Sequence, residues 1–188
     1  MKMIQNKPIV LGAALIALMA ATRMHHFGST MHLPYASLAV FLLTGLLVAS
    51  PLFFGFLLLE AAALDYVAIT HMGVSDYCVT SSYWFLIPTY AVLWIAGRAY
   101  AQIHQDTVRS LGLFSAISFA AVSVAFFISN GAFYLFSGRY PNMNMSEYAS
   151  RVAQYYLPYV TSAVIYLVPA VLLYVVFKLG TEQTKHAG

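Results

Sequence analysis

Apolar runs that approach the width of a lipid bilayer recur along this whole chain. They cover residues 8–21, 35–50, 52–69, 83–100, 111–136 and 152–177. The chain is 61% hydrophobic and only 8% charged, whereas a soluble domain carries about 25% charged residues. A water-soluble fold of 188 residues could not bury so much apolar surface. The pattern therefore predicts an all-α integral membrane protein, with six transmembrane helices forming a single domain over residues 1–188.

The positions of lysine and arginine predict how these helices are oriented. With the N-terminus inside, six basic residues fall on the inner side and three on the outer side. The inner set is Lys2, Lys7, Arg98, Arg109, Lys178 and Lys185, and the outer set is Arg23, Arg139 and Arg151. Both termini are thus predicted to be cytoplasmic. The segments 23–34, 71–82 and 137–150 then share the outer face.

Cys78 is the single cysteine of the chain and lies in the polar segment 71–82 between two apolar runs. It has no intramolecular disulfide partner. Three interpretations stay open: a small residue without a chemical role, a ligand of a soft metal, or a nucleophile. A zinc site would need further Cys or His residues at metal-ligand spacing, and none accompanies Cys78. A ligand that carries its own metal would need only this one donor.

Two carboxylates interrupt the third apolar run, at Glu60 and Asp65. Charged groups inside a membrane are costly and usually face a cavity or a partner. The five-residue spacing turns them about 140° apart around a helix, so they need not share a face. Asp65 lies about one turn below the segment of Cys78 and is predicted to line the floor beneath it. Glu60 is predicted to make a packing hydrogen bond to a neighbouring helix.

Histidine and tyrosine residues add candidate ligand contacts on the outer face. His25 and His26 are adjacent and point in different directions, so one of them is predicted to reach the ligand. Tyr77 and Tyr83 bracket Cys78, and aromatic rings there could wall a large flat ligand. His104 lies on the opposite side of the membrane and is predicted to be solvated.

Several function classes lack their signatures in this sequence. Without a Walker A loop, the chain is not expected to hydrolyse ATP itself. Its lysines and arginines are scattered singly, which argues against nucleic-acid binding. A catalytic triad, a zinc-protease helix or a pair of catalytic carboxylates cannot be placed on one face. Uptake by such a chain would draw its energy from an unidentified partner, from a gradient, or from trapping of the ligand after entry.

Three segments carry a recognisable combination of residues. They are Met24-His25-His26-Phe27-Gly28-Ser29, Leu58-Leu59-Glu60-Ala61-Ala62-Ala63-Leu64-Asp65-Tyr66 and Gly73-Val74-Ser75-Asp76-Tyr77-Cys78-Val79-Thr80. Together with the chain length, the predicted spans and the single cysteine, they resemble the BtuM family of small bacterial cobalamin transporters over essentially the whole chain. The resemblance implies a bundle like the S-components of energy-coupling-factor vitamin transporters, and import of cobalamin without the usual ATPase module.

The resemblance also implies roles for individual residues. The family cysteine, here Cys78, is associated with direct ligation of the corrin cobalt and with removal of cyanide from cyanocobalamin. Asp65 and Tyr83 look like the accompanying acid and tyrosine, and His26 looks like the loop histidine. In these roles Asp65 could hold or accept the thiol proton. Tyr83 could donate a hydrogen bond to the sulfur or to a corrin amide.

Three functions remain as expectations at this point. The leading one is a cobalamin uptake transporter in the bacterial inner membrane, with its ligand loops on the periplasmic side and the lipid bilayer around it. The second is a membrane enzyme whose main task is decyanation, with transport incidental. The third is a small structural membrane subunit in which Cys78 is inert.

Overall fold

The structure is a computed structural model that describes the backbone of residues 7–23 and 34–186 and the side chains of residues 9–23 and 34–179. Within these residues the chain forms helices and no strand. The α-helices are α1 (Lys7–Arg23), α2 (Ser37–Leu47), α3 (Pro51–His71), α4 (Leu86–Ile103), α5 (Val108–Phe136) and α6 (Met145–His186). Two short 3-10 turns, Asp76–Cys78 and Ser81–Phe85, connect α3 to α4.

Three of these helices are long and apolar enough to cross a membrane: α3, α5 and the part of α6 that spans Met145–Leu179. The apolar helix α2 and the apolar part of α1 are shorter. The predicted all-α class is therefore confirmed for the residues that the structure describes, and these helices suit a membrane protein. Six complete crossings and the side on which the termini lie stay predictions.

The helix boundaries differ from the sequence-based ones mainly at two places. Helix α6 begins at Met145 rather than near residue 152, and it runs for 42 residues with Pro158 and Pro169 inside it. Neighbouring helices can satisfy the backbone groups that such prolines free in a membrane helix. Arg23, which the sequence placed in an outer loop, is instead the last residue of α1 and is buried.

Helix α2 is the centre of the bundle. It has 11 residues, about 16 Å of helix, and every residue from Ser37 to Gly45 is buried. It packs against α4 with the two backbones in contact at two glycines. A Cβ added to Gly45 would lie 2.0 Å from the Trp94 carbonyl oxygen, and one added to Gly97 would lie 2.0 Å from the Leu42 carbonyl oxygen. Small residues allow this close approach between membrane helices.

The connection between α2 and α3 is a tight turn, as the break at Pro51 predicts. Ala49 adopts a positive φ of 53°, and its carbonyl accepts a hydrogen bond of 2.9 Å from Arg98 Nη1. Ser50 then caps α3 by accepting from the Phe53 backbone N–H at 3.3 Å. Proline fits the first turn of α3 because its missing N–H would have no helical partner there.

The helix ends divide the polar residues between two ends of the bundle. The Cys78 end comprises the last turns of α1 and α3, the two 3-10 turns and the α5–α6 loop at 137–144. The His104 end comprises the α2–α3 turn, the α4–α5 loop at 104–107 and the α6 residues that contact that loop. All the ligand-contact residues predicted from the sequence that the structure describes lie toward the Cys78 end.

Candidate functional site

Cys78 is the last residue of a short 3-10 turn and is exposed. The turn starts at Ser75, whose hydroxyl accepts a hydrogen bond from the Tyr77 backbone N–H at 3.2 Å. It closes where the Val79 N–H donates to the Asp76 carbonyl at 2.8 Å. Ser and Asp favour such turns because their side chains bond nearby backbone groups. Cys78 therefore lies outside the hydrophobic core.

Arg139 holds this turn from the α5–α6 loop. Its Nε donates to the Tyr77 carbonyl at 3.1 Å, and its guanidinium lies 4.0 Å from the centre of the Tyr77 ring. The Tyr77 hydroxyl also shares a hydrogen bond of 2.9 Å with the Tyr140 hydroxyl. The Arg151 guanidinium in turn lies 4.8 Å from the Tyr140 ring centre. Tyr77, a predicted ligand contact, is thus bound through its carbonyl, ring and hydroxyl, while 42% of it stays exposed.

Arg23 forms a buried polar network that reaches three other helices. Its Nε and Nη2 each donate to a different oxygen of Asp65 at 2.6 Å. Its Nη1 donates to the Ser37 hydroxyl at 2.9 Å and to the Tyr90 hydroxyl at 3.1 Å. The Arg23 side chain is only 7% exposed. One guanidinium therefore joins the helices α1, α2, α3 and α4.

The network lies inside the bundle rather than at its rim. Asp65 precedes the end of α3 by six residues, which is about 9 Å of helix. Ser37 is the first residue of α2, and Tyr90 lies in the second turn of α4. The chain that carries Cys78 starts where α3 ends, and the position of Asp65 on the floor beneath Cys78 stays a prediction.

Tyr83 and Asp65 are in direct contact, whereas the resemblance implies a role for each toward Cys78 or the ligand. The Tyr83 hydroxyl donates to Asp65 Oδ2 at 2.8 Å. Asp65 therefore accepts hydrogen bonds from both Arg23 and Tyr83, and both of its oxygens are engaged. A carboxylate has about four lone-pair positions and three of them are used here, which leaves Asp65 little capacity to take a proton from Cys78. The role of Asp65 as proton acceptor stays a prediction.

The thiol and the network also influence each other electrostatically. Burial raises the pKa of the Cys78 thiol above its ordinary value; Arg139 opposes this shift and the charge of Asp65 adds to it. At neutral pH Cys78 is thus a thiol, and binding to a metal would have to displace its proton.

Some predicted features fall elsewhere. His25 and His26 belong to residues 24–33, outside the described residues. Within the described residues no group of three or more His, Cys, Asp or Glu residues could hold a metal ion. Glu60 does not match its predicted packing role, because its Oε2 is buried without a hydrogen-bond partner among the residues described.

A second polar cluster lies at the His104 end. The two ring nitrogens of His104 are hydrogen-bonded to Tyr100 at 2.8 Å and to Tyr174 at 3.0 Å. The Tyr174 hydroxyl donates to Asp106, which also pairs with Lys178. His104 is therefore held between α4 and α6, and the prediction that it is simply solvated is wrong.

Arg23 and Arg139 are the contacts that sequence reasoning missed. A membrane-embedded acid such as Asp65 calls for a partner, and Arg23 directly follows the first apolar run, so that signal was present. Arg139 carries no comparable signal, because its partner at Tyr77 is 62 residues away in the chain.

Comparisons of the chain with protein-family models and with curated proteins find no match. The function is therefore inferred from the residues and the geometry of the site.

Proposed function

We propose that this protein is a cobalamin-binding uptake transporter of the bacterial inner membrane, in which the Cys78 sulfur binds the corrin cobalt. The observation that carries the proposal is the placement of Cys78. It is an exposed thiol on a turn held by Arg139, at the same end of the bundle as the Arg23–Asp65–Tyr83 network. Such a thiol can reach a large ligand at the bundle end while polar groups deeper in the bundle meet its edge.

A ligand that brings its own metal fits a single protein donor. The described side chains provide no multidentate metal site around Cys78. A corrin fills the equatorial positions of its cobalt and leaves the axial positions for exchange. Thiolate sulfur is a soft, polarizable ligand and binds transition metals well. One cysteine is therefore enough to complete the coordination.

The surroundings of Cys78 also suit a flat ligand of mixed polarity. Tyr77 and Trp84 are 42% and 73% exposed and offer aromatic faces close to the cysteine in the chain. Aromatic side chains present large apolar areas at low cost in conformational entropy. Tyr83 and Asp65 supply polar contacts for the amide side chains at the rim of a corrin. His26 is the further contact that the resemblance implies.

Removal of cyanide follows from the same ligation. The Cys78 thiolate donates an electron pair to Co(III) of cyanocobalamin and forms the Co–S bond. Cyanide leaves with the electron pair of the Co–C bond, and the oxidation state of cobalt does not change. The thiol proton passes to water or to the departing cyanide. Each event uses one Cys78, so it accompanies binding unless a second thiol frees the cobalt again.

The direction of uptake follows from the charge distribution. With the N-terminus inside, the Cys78 end faces the periplasm and would receive the ligand there. The chain carries no Walker A loop, so the energy for uptake comes from an energising partner, a gradient or trapping of the ligand.

The ligation is tested by absorption spectroscopy of the full-length protein in detergent with added cyanocobalamin. We expect the wild type and the neighbouring control V79A to show a corrinoid spectrum shifted by sulfur ligation. C78A and C78S should lack the shift. The ligation would be disproved if C78A bound cyanocobalamin with the same spectrum and affinity as the wild type.

Transport is tested separately by growth of a cobalamin-auxotrophic bacterial host that lacks its own importer. The wild-type chain should restore growth on low cobalamin, and C78A should do so poorly. Cyanide release distinguishes the enzyme alternative: one cyanide per protein indicates a binding step, whereas many turnovers with an added thiol indicate a decyanating enzyme. Labelling of Cys78 from the outer side of spheroplasts tests the orientation.

A further inference from the structure

The direction of each hydrogen bond around Asp65 is determined by chemistry. Arginine has only donors and an ionised carboxylate has only acceptors. Arg23 occupies both oxygens of Asp65 in a bidentate pair at 2.6 Å, which is the strong arrangement for a guanidinium and a carboxylate. The pair holds Asp65 as an anion inside the bundle, although its side chain is still 25% exposed.

The single hydroxyl proton of Tyr83 is therefore already used in a hydrogen bond. A phenol has one proton to donate, and Tyr83 gives it to Asp65 Oδ2 at 2.8 Å. The hydroxyl oxygen of Tyr83 keeps its lone pairs. Because Tyr83 is only half-buried, these lone pairs are what a ligand can meet.

Two other hydroxyls in the network have the opposite polarity. Ser37 and Tyr90 accept hydrogen bonds from Arg23, so their own protons are not used in those bonds. Both residues are deeply buried, at 2% and 5% exposure, and a ligand at the bundle end cannot reach them. The accessible part of the network therefore consists of acceptors, from Tyr83 and Asp65.

We propose that Arg23 is a positioning residue, which arranges Tyr83 and Asp65 so that the atoms they present to the ligand only accept hydrogen bonds. This acceptor-only wall, formed by Tyr83 and Asp65, binds a neutral carboxamide of the ligand and rejects a carboxylate at the same place. A carboxamide N–H can donate to the lone pairs of Tyr83 or Asp65, whereas a carboxylate brings only further acceptors. This inference rests on the proposed function, because it is cobalamin that carries carboxamide side chains around its ring.

Arg23 is needed for this polarity because an unpaired carboxylate is costly inside a membrane protein. Without its partner, Asp65 would take up a proton rather than stay charged in the interior. A protonated Asp65 can donate to the Tyr83 oxygen, which frees the Tyr83 proton for the ligand. The wall would then have mixed polarity.

The first experiment measures the state of Asp65 without any ligand. Infrared difference spectra at neutral pH, where an ordinary aspartate is ionised, compare each protein with its D65N counterpart. We expect an ionised carboxylate in the wild type and in R23K, and a protonated carboxyl in R23Q. The control R98Q removes an exposed arginine at the His104 end and should match the wild type. A protonated Asp65 in the wild type would overturn the proposal.

The second experiment measures binding of cobalamin and of its three monocarboxylic acid derivatives, in which one propionamide is hydrolysed. We expect the wild type and R98Q to bind at least one derivative about tenfold more weakly than cobalamin, the scale of one unmade buried hydrogen bond. In Y83F that preference should fall to about threefold, since one of the two acceptor groups is gone and Asp65 remains. Equal binding of all four compounds by the wild type, or an unchanged preference in Y83F, would overturn the proposal.

The two experiments separate the possible failures. If R23Q does not fold, R23K and Y83F still decide the result, because R23K must keep the ionised carboxylate and Y83F must weaken the preference. If the wild type binds no corrinoid, both the proposed function and the carboxamide preference are wrong. The infrared spectra then report alone whether Arg23 keeps Asp65 ionised.

Discussion

The Cys78 end and the His104 end both combine an ion pair with tyrosine hydroxyls, but they differ in burial. Arg23 is 7% exposed and binds side chains from three other helices. In the ion pair at the His104 end, Asp106 is 54% exposed and Lys178 is 28% exposed. Breaking a buried pair leaves an uncompensated charge and costs about 3–5 kcal/mol, whereas an exposed pair contributes about 0–1 kcal/mol. The bundle thus depends on the first pair far more than on the second.

The largest expected effect is the loss of one partner of the buried pair. R23Q should lower the free energy of unfolding by about 3–5 kcal/mol, because Asp65 is left unpaired in the interior. The double variant R23M/D65L removes both charges and should cost much less. Thermal unfolding of the full chain in detergent measures both. If R23Q and the double variant were equally stable, the pair would not carry the burial cost that we assign to it.

The next largest effect concerns the Tyr83 hydroxyl, which joins the second 3-10 turn to the Arg23–Asp65 pair. Y83F removes the hydrogen bond to Asp65 and should lower stability by about 1.5–3 kcal/mol, the range for hydrogen bonds to charged groups. Y140F is a matched control, since it removes a hydrogen bond between neutral tyrosines at the exposed rim. Its cost should be about 0.5–1.5 kcal/mol. A larger loss in Y140F than in Y83F would reverse the order of importance.

At the His104 end the effect on stability should be small. D106N removes the charge that pairs with Lys178 and should change the unfolding free energy by about 0–1 kcal/mol, because Asp106 is more than half exposed. The same unfolding assay measures it. A loss comparable with that of R23Q would show that the two ion pairs contribute equally to the free energy of unfolding.

A difference in thiol chemistry should accompany the contrast in stability. Burial raises the pKa of Cys78, so its alkylation by a neutral maleimide should accelerate at a higher pH than alkylation of free cysteine. Arg139 lowers that pKa, and R139Q should therefore slow the reaction at fixed pH by leaving less thiolate. R98Q, at the other end, should react like the wild type. Faster alkylation in R139Q would contradict this electrostatic role.

The sequence patterns predict the helices well because apolar runs and breaks are local signals. The break at Pro51 and the polar segment around Cys78 both appear in the structure where the sequence places them. The burial of Arg23 could not be read in the same way. A basic residue at the end of an apolar run usually reaches the membrane surface, and its partner Asp65 is 42 residues away.

The extent of burial was equally hidden in the sequence. The run 35–50 resembles the other apolar runs, yet α2 is short and enclosed, whereas α6 is long and largely exposed. Hydrophobicity alone does not distinguish a helix that faces lipid from one that faces other helices. The contact between Asp65 and Tyr83 was not predicted, because no local spacing rule brings a helix residue onto a later turn.

The glycine contact between α2 and α4 limits how the bundle can move. Where a carbonyl oxygen occupies the place of a Cβ, neither helix can slide along the other or roll past it without a backbone collision. Helices α2 and α4 therefore form one rigid block, and a rearrangement such as the proposed uptake requires would occur where α1, α3, α5 or α6 contacts that block. Arg23 lies on α1 and binds both helices of that block as well as α3. It therefore crosses the contact of α1 with the block and the contact of α3 with the block.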